Sequence, residues 1–483
     1  MLNPLQLVTR MWFHPWSQSV GYESVYPYTC VRVTGVTGGT SDDVKRRRQT
    51  TTMSSVGYAS RLNRSADVGG TLGEEETEDP AEDVRRASRA LAEALAEARE
   101  ATRDGWLVGD DDGDGTPRSG VVVHTGAGIS TSSGIPDFRG PDGVWTRRAR
   151  GLPPPECSTA LDRAKPSFTH ACLKALADAG YVKTVVSCNV DCLHVKSGLI
   201  PGENLCELHG NLFAERCENE DCGREEIRDF EMKTVGRKLT GRRCVECGGR
   251  MRDQVLDWDD ALPEKELNKA ERDSADALWS VVIGSSLQIM PSCNIPLRTT
   301  RKRRRSKQRP YGDDEAPGKL CVVNLQKTTK DKKAALVIHA KCDEVMRLVA
   351  GHLDLKIPDY ERTDRVRVFH ECRDRPTGFD FVLRVVNAHD EAAPIPWLDK
   401  VVCSFDKETG IEAANLVRQP FSVKRRTRTD EAIRVRLAFH FATGCTEPPA
   451  EVSYELEYEG KGREKEYEFV TIRQKYDDSN TDL

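Results

Sequence analysis

The chain has 483 residues, of which 72 are Lys or Arg and 77 are Asp or Glu, giving a net charge of −5 at pH 7. This length accommodates two or three domains, and the nearly balanced charge excludes a protein that is basic over its whole surface. No apolar stretch reaches the roughly 20 residues of a membrane-spanning helix, so we expect no membrane partner. The 16 cysteines lie partly in clusters along a long chain, which favours metal binding over a disulfide framework.

The N-terminal part of the chain differs in composition from the rest. Residues 1–79 are rich in Ser, Thr, Gly and Arg, and we expect them to form a disordered N-terminal extension. Residues 1–52 hold no compact apolar core followed by a cleavage site, so we do not expect them to be a targeting peptide. Asp79-Pro80 then marks the start of a helix, because Val84, Leu91 and Leu95 fall on one helical face.

Strands and helices alternate from about residue 120 to residue 350. Apolar runs at 121–123, 184–186, 280–283 and 320–325 predict buried parallel strands, each ending in a polar or glycine-bearing turn. Ligands bind at that end of the strands in open α/β sheets. A cysteine-rich segment, residues 206–258, interrupts the alternation. We therefore predict an α/β, Rossmann-like parallel sheet with an inserted small metal-binding module.

The apolar period changes to two beyond Pro358. In residues 433–441 and 452–458, apolar side chains alternate with polar or charged ones. This alternation is typical of antiparallel strands with one buried face. We predict an all-β, sandwich-like domain over residues 361–476, followed by a short tail over residues 477–483.

A loop insertion is predicted over residues 298–319, and it contains the basic run from Arg301 to Arg305. A run of like charges is commonly a solvated surface. It also suits nuclear import or contact with nucleic acid. On the second interpretation we expect a nuclear protein that contacts chromatin or nucleic acid through this run.

Four cysteines have the spacing of a metal site. Cys217 and Cys222 enclose four residues, and Cys244 and Cys247 enclose two. Two converging knuckles of this kind place four thiolates at the corners of a tetrahedron, which suits zinc. Because the protein would fill all four positions, we predict a structural ion. The alternative is a set of unpaired core cysteines.

Two sequence strings identify a family. Residues 126–140, which follow an apolar strand, have the sequence GAGISTSSGIPDFRG, and residues 207–211 have the sequence ELHGN. A strand that leads into Gly-x-Gly presents backbone amides that a diphosphate can approach closely. The first string resembles the cofactor-binding loop of the sirtuins, and the second resembles their catalytic motif. The sirtuins are NAD-dependent protein deacylases.

The resemblance covers residues 80–360, which would form the catalytic domain, and points to the class IV branch of sirtuin-6 and sirtuin-7. Residues 257–263 and 286–292 resemble sirtuin-6, whereas residues 240–248 and 341–348 resemble sirtuin-7. The choice between the two stays open. Residues 53–59 resemble the N-terminus of the sirtuin-6 subgroup.

The resemblance implies which residues form the site. His209 would be the general base that takes a proton from a ribose hydroxyl. NAD and zinc would be the cofactors, with zinc held by the four cysteines named above. The residues implied to contact NAD are Gly126, Ala127, Gly128, Thr131, Asp137, Phe138, Arg139, Trp145, Cys188, Asn189, Asp191, His209, Gly284, Ser285, Ser286, Asn324, Gln326 and Cys342.

The activity implied by the resemblance is NAD-dependent removal of an acyl group from lysine in a histone or other nuclear protein. The products would be free lysine, nicotinamide and O-acyl-ADP-ribose. Two alternatives remain. One is protein mono-ADP-ribosyl transfer at the same cofactor site, and the other is a catalytically weak module that binds NAD or chromatin.

Two residues depart from the family pattern. Cys188 stands where the family has a glutamine that hydrogen-bonds the nicotinamide ribose, and a thiol is a weaker partner. Cys192 stands where the family has glycine, and we expect it to add bulk beside the pocket. Both changes are expected to affect turnover more than NAD binding.

Overall fold

The computed structural model describes residues 55–63, 68–103, 120–301, 317–428, 431–458 and 464–476. Within these ranges the helices are α1 (Ser55–Arg61), α2 (Ala81–Arg103), α3 (Val144–Ala149), α4 (Phe168–Asp178), α5 (Leu193–Lys196), α6 (Glu264–Asp276) and α7 (Cys342–His352). None of these helices is long and apolar enough to cross a bilayer. The predicted C-terminal tail, most of the basic run and residues 1–54 lie outside the described residues.

The strands of the first half are β1 (Val121–Thr125), β2 (Thr184–Ser187), β3 (Leu205–Glu207), β4 (Ala214–Cys217), β5 (Glu225–Ile227), β6 (Leu239–Arg243), β7 (Arg250–Asp253), β8 (Trp279–Ile283), β9 (Lys319–Val323) and β10 (Leu336–Ile338). Those of the second half are β11 (Tyr360–Asp374), β12 (Phe379–Asn387), β13 (Leu398–Phe405), β14 (Ala414–Leu416), β15 (Phe421–Thr427), β16 (Ile433–Phe441), β17 (Ala450–Leu456) and β18 (Lys465–Gln474). A 3₁₀ helix, Ala127–Ser133, follows β1.

A six-stranded parallel sheet organises the first half of the chain. Its strand order is β10-β9-β8-β1-β2-β3, and every neighbouring pair is parallel. The four predicted strands correspond to β1, β2, β8 and β9, and almost all of their residues are buried. The Rossmann-like sheet is therefore confirmed. The strand order reverses beside β1, and ligands of such sheets bind at that switch point.

Helix α2 begins just after Pro80, as predicted. Acidic side chains in its first turn interact favourably with the positive end of the helix dipole. Its apolar face includes Val84, Leu91 and Leu95, all buried in the core that also holds residues of β1, β8 and α7. The helix thus covers one face of the parallel sheet.

The cysteine-rich segment forms a separate four-stranded antiparallel sheet between β3 and α6. Its strand order is β5-β4-β7-β6. The short strands expose much of their surface, so this module buries few apolar residues of its own. A bound metal is a common source of stability for modules of this size.

The C-terminal part forms two antiparallel sheets, with strand orders β15-β12-β11-β18 and β14-β13-β16-β17. Their inner faces share one core, in which Phe381, Trp397 and Phe439 are fully buried. Alternating exposure along β16 and β17 matches the period of two in the sequence. The predicted sandwich-like region is confirmed.

The sandwich is hydrogen-bonded to the rest of the chain. The carboxylate of Asp229, in the cysteine-rich segment, accepts hydrogen bonds from Asn387 Nδ2 (3.0 Å) and Trp397 Nε1 (3.2 Å). The buried guanidinium of Arg362 donates to the backbone carbonyls of Asp162 and Asp229. These hydrogen bonds join the sandwich to the cysteine-rich segment and to the loop that contains Asp162.

The expected disorder of residues 1–79 is wrong for residues 55–63 and 68–79. Residues 55–61 are helical, and Tyr58, Ala59 and Leu62 are buried in a core with Trp145. The composition of this segment, which is poor in apolar residues, gave no sign of its order. The segment is ordered because its few large side chains pack onto a surface formed by distant parts of the chain.

Candidate active site and metal centre

A cavity of about 850 Å³ lies at the carboxyl ends of β1, β2, β8 and β9. Every residue predicted to contact NAD lines this cavity except Asp191. Most of these residues follow the carboxyl ends of parallel strands, which meet at one edge of the sheet.

Asp191 lies behind the cavity wall. Its buried carboxylate accepts hydrogen bonds from Ser130 Oγ (2.7 Å) and from the Leu193 backbone amide (2.9 Å). Asn189, which does line the cavity, donates from Nδ2 to Ser130 Oγ (3.3 Å) and to the Gly126 carbonyl (3.1 Å). Asp191 therefore contributes by holding the wall, and the sequence did not distinguish this role from direct contact.

The glycines after β1 and β8 allow two turns to touch. A Cβ at Gly126 would lie 2.7 Å from the Gly284 carbonyl oxygen, and a Cβ at Gly128 would lie 2.8 Å from Gly284 Cα. The Gly128 amide donates to the Gly284 carbonyl at 2.9 Å. The two turns therefore pack so closely that only glycine fits at positions 126 and 128. The lack of side chains there also leaves room for a diphosphate.

His209 is held in one orientation. It lies two residues beyond β3, and Cys188 lies one residue beyond the neighbouring strand β2. His209 Nδ1 is 3.0 Å from the Cys188 carbonyl oxygen, so Nδ1 carries the proton of the neutral ring and Nε2 keeps its lone pair. Burial lowers the pKa of His209 from 6.5, although the Cys188 carbonyl acts in the opposite direction. The imidazole is therefore neutral at pH 7 and able to accept a proton.

Arg139 offers a place for an anion. Its guanidinium is buried and donates to the Val68 carbonyl at 2.7 Å, while Nε is buried with no hydrogen-bond partner among the described residues. Burial lowers its pKa from 12.5, and Asp137 opposes that shift. An arginine remains charged under these conditions. Because Arg139 lines the cavity, its positive charge would attract a phosphate group of a ligand there.

The two unusual cysteines occupy different environments. Cys188 lines the cavity, and burial raises the pKa of its thiol to about 11, which makes it a poor nucleophile. Cys192 does not itself line the cavity; it packs in a core with Leu161 and Leu193, next to the lining residue Val190. Its φ of 67° falls in the left-handed region, which explains why glycine suits this position.

The four predicted metal ligands come together. The Sγ atoms of Cys217, Cys222, Cys244 and Cys247 all lie within 4.8 Å of one another. The Cys217–Cys247 Sγ distance is 3.4 Å and the Cys222–Cys244 distance is 3.7 Å. Thiolates bound at about 2.3 Å around one tetrahedral zinc would be roughly 3.8 Å apart, so the cluster fits zinc.

Several lining residues were not predicted from the sequence. Residues 257–262 and 287–293 supply much of the remaining wall, and both stretches belong to strings that resemble sirtuin-6. That resemblance could have placed them at the site. Tyr58, Leu62 and Glu76 come from the N-terminal segment, and only the likeness of residues 53–59 to the sirtuin-6 N-terminus pointed there.

Comparisons with known proteins agree with this site. The model of the Sir2 family matches residues 126–158 and 154–291. NAD-dependent protein deacetylase SRT1 of Arabidopsis thaliana is 41% identical over 70% of this chain and 69% of its own length. The chain belongs to the Sir2 family.

Other Sir2-family relatives match to different extents. NAD-dependent protein deacetylase SRT1 of Oryza sativa subsp. indica is 44% identical over 67% of this chain, which spans 64% of that relative. NAD-dependent protein deacetylase Sirt6 of Drosophila melanogaster is 41% identical over 50% of this chain and 73% of its own length. A solved complex of Sir2 with p53 peptide and NAD⁺ is 28% identical over 48% of this chain and 92% of that chain, with a TM-score of 0.35. The Sir2 model covers the cysteine cluster and many of the cavity residues but not the β-sandwich.

Proposed function

We propose that this Sir2-family chain is an NAD-dependent protein-lysine deacylase that releases nicotinamide and O-acyl-ADP-ribose. The observation that carries the proposal is His209, a neutral imidazole in the cavity with Nδ1 bound to the Cys188 carbonyl and Nε2 available to accept a proton. Relatives named as NAD-dependent protein deacetylases support the reaction type.

The cavity suits NAD. When bound, NAD supplies an electrophilic ribose carbon and a nicotinamide leaving group. Arg139 would hold a phosphate, Asn324 and Gln326 would hold the adenosine ribose, and His209 would take a proton from a ribose hydroxyl. Zinc held by the four cysteines would stabilise the adjacent module without taking part in the chemistry.

The proposed substrate is an acylated lysine of a histone or other nuclear protein. The basic run from Arg301 to Arg305 supports a nuclear location and contact with chromatin, as does the resemblance to the sirtuin-6 and sirtuin-7 branch. Replacing the five residues with alanine should move a tagged protein toward the cytoplasm. An unchanged distribution would mean that the run is only a solvated surface.

One assay separates the three candidate functions. The full chain is incubated with NAD and an acetylated histone peptide, and the products are identified by mass spectrometry. Deacylation yields nicotinamide and O-acetyl-ADP-ribose in equal amounts. ADP-ribosyl transfer yields nicotinamide and modified protein, and a binding module yields neither.

A further inference from the structure

Two N-terminal segments, residues 55–63 and 68–79, supply Tyr58, Leu62 and Glu76 to the cavity lining and contact several other elements around it; we call them the strap. At one end, the strap is attached to the cysteine-rich segment. Arg61 forms a largely buried ion pair with Glu231 and donates to the Met232 carbonyl. The Asn63 amide donates to Asp257 Oδ1 at 2.9 Å.

The strap also holds the loop that carries Arg139. The Gly73 amide donates to the Arg139 carbonyl at 2.9 Å, while the Arg139 guanidinium donates to the Val68 carbonyl at 2.7 Å. Gly73 fits closely over α3, because a Cβ there would lie 2.8 Å from Thr146 Cγ2. Arg139 is therefore held by the strap through both its backbone and its side chain.

The next contact reaches the turn after β8. The Thr71 amide donates to Gln288 Oε1 at 2.6 Å, and Gln288 lines the cavity. The fit is tight at this point, because a Cβ at Gly70 would lie 2.0 Å from Gln288 Oε1.

At its other end, the strap is attached to the ends of β9 and β10. Gln326 Nε2 donates to the Glu74 carbonyl at 2.6 Å, and the Thr77 amide donates to the Leu325 carbonyl at 2.9 Å. Between these anchors, Glu76 lines the cavity. The strap thus contacts several separate elements that supply different parts of the cavity lining.

We propose that the strap positions the cofactor site: it holds Arg139 and Gln288 in the arrangement that NAD needs before NAD arrives. The inference rests on the proposed function. Ordering a loop on binding reduces affinity, and an element that orders it beforehand removes that loss. The apparent Kd rises in inverse proportion to the fraction of molecules in which the strap is seated.

Two glycines of the strap provide a matched test in the full chain. Gly69 and Gly70 have φ values of +60° and +73°, so Gly69→Ala and Gly70→Ala introduce similar backbone strain. A Cβ at Gly69 meets no atom within 4 Å, whereas the one at Gly70 collides with Gln288. We expect Gly70→Ala to weaken NAD binding about tenfold, as if the strap were seated in one molecule in ten. Gly69→Ala should bind NAD within twofold of the parent.

Isothermal titration with NAD measures the affinity, and hydrogen exchange of residues 137–143 without NAD measures the order of the loop. Faster loop exchange and weaker binding in Gly70→Ala alone would support the proposal. Equal Kd and equal exchange in the two variants would overturn it. If the parent protein does not bind NAD, the proposed function fails, and the exchange result still tests whether the strap orders the loop.

A second pair of variants, both at Thr77, tests the proposal even if Gly70→Ala does not fold. Thr77→Pro removes the amide that donates to Leu325, whereas Thr77→Ala keeps it. We expect Thr77→Pro to bind NAD several-fold more weakly than Thr77→Ala while keeping the same melting temperature within a few degrees. Identical Kd values in this pair would overturn the proposal.

Discussion

The hydrogen bond from Nδ1 to the Cys188 carbonyl orients the His209 ring. That bond leaves Nε2 as the only ring nitrogen that can accept a proton. We expect His209→Ala to reduce formation of O-acyl-ADP-ribose by roughly 100- to 10,000-fold, the usual effect of losing a general base. The fold should persist, because the predicted zinc ligands are the four clustered cysteines and do not include His209. Activity within threefold of the parent would contradict the assignment.

The pH dependence tests the same residue. Burial lowers the pKa of His209 below 6.5, so its neutral form persists in mildly acidic solution. We expect the acidic limb of the kcat/KM profile to have its midpoint below pH 6.5. His209→Ala should remove this limb from the residual activity. An acidic limb centred above pH 6.5 would show that another group controls the rate.

Cys188 and Cys192 are expected to act independently, because only Cys188 lines the cavity. Cys188→Gln should recover one hydrogen bond, about 0.5–1.5 kcal/mol, and raise turnover roughly two- to twelvefold. Cys192→Gly should remove the strain of a side chain at a left-handed φ, but it should also remove the packing of that side chain in the core. Steady-state kinetics of the two single variants and the double variant measure the coupling. Coupling above about 0.5 kcal/mol would contradict independence.

At the scale of elements, the cysteine-rich module buries little apolar surface of its own. Its cysteine cluster can therefore contribute much of its stability when zinc is bound. We expect one zinc per chain, and chelation should unfold the module and remove activity. Cys222→Ser should lose zinc, whereas Cys445→Ser, a control in the β-sandwich, should keep it. Active protein without zinc in elemental analysis would refute this prediction.

For the whole molecule, buried ionisable groups set the pH of greatest stability. Burial lowers the pKa of His124, His170 and His194 to about 3. Unfolding exposes these rings, and they then bind protons near pH 6.5, so stability falls as the pH drops below 6.5. Burial raises the pKa of Glu207 to about 8 and that of Glu231 to about 7. These two groups act in the opposite direction: their contribution is fully present below about pH 4.5, the ordinary carboxyl pKa, and is lost as the pH rises from there through 7 to 8.

We therefore expect the free energy of unfolding to be greatest near pH 6.5 and to fall on both sides. Urea unfolding between pH 4.5 and 8.5 measures it. His170→Asn should reduce the acid-side slope by up to about 1.4 kcal/mol per pH unit, the effect of one proton. Equal slopes in His170→Asn and the parent would contradict the prediction.

The sequence by itself determined the parallel sheet, the antiparallel sandwich, the cysteine cluster and the part of the cavity lining that its motifs supply. These features follow from local patterns: apolar runs that end in turns, alternation with period two, and short spacings between like residues. The chain fold then brings the strand ends to one edge, so motifs that follow β1, β2, β8 and β9 meet without further information.

Only the tertiary structure decided the strap, the place of Asp191 behind the wall and the burial of Cys192. Arg139 meets Val68 across 71 positions, and Gln326 meets Glu74 across 252. No local period encodes such pairs. Their hydrogen bonds form between backbone carbonyls and single side chains, whose residue types alone do not reveal the partner. The composition of the strap predicted disorder. The segment is ordered because it packs onto a surface formed by distant parts of the chain, and composition does not reveal that surface.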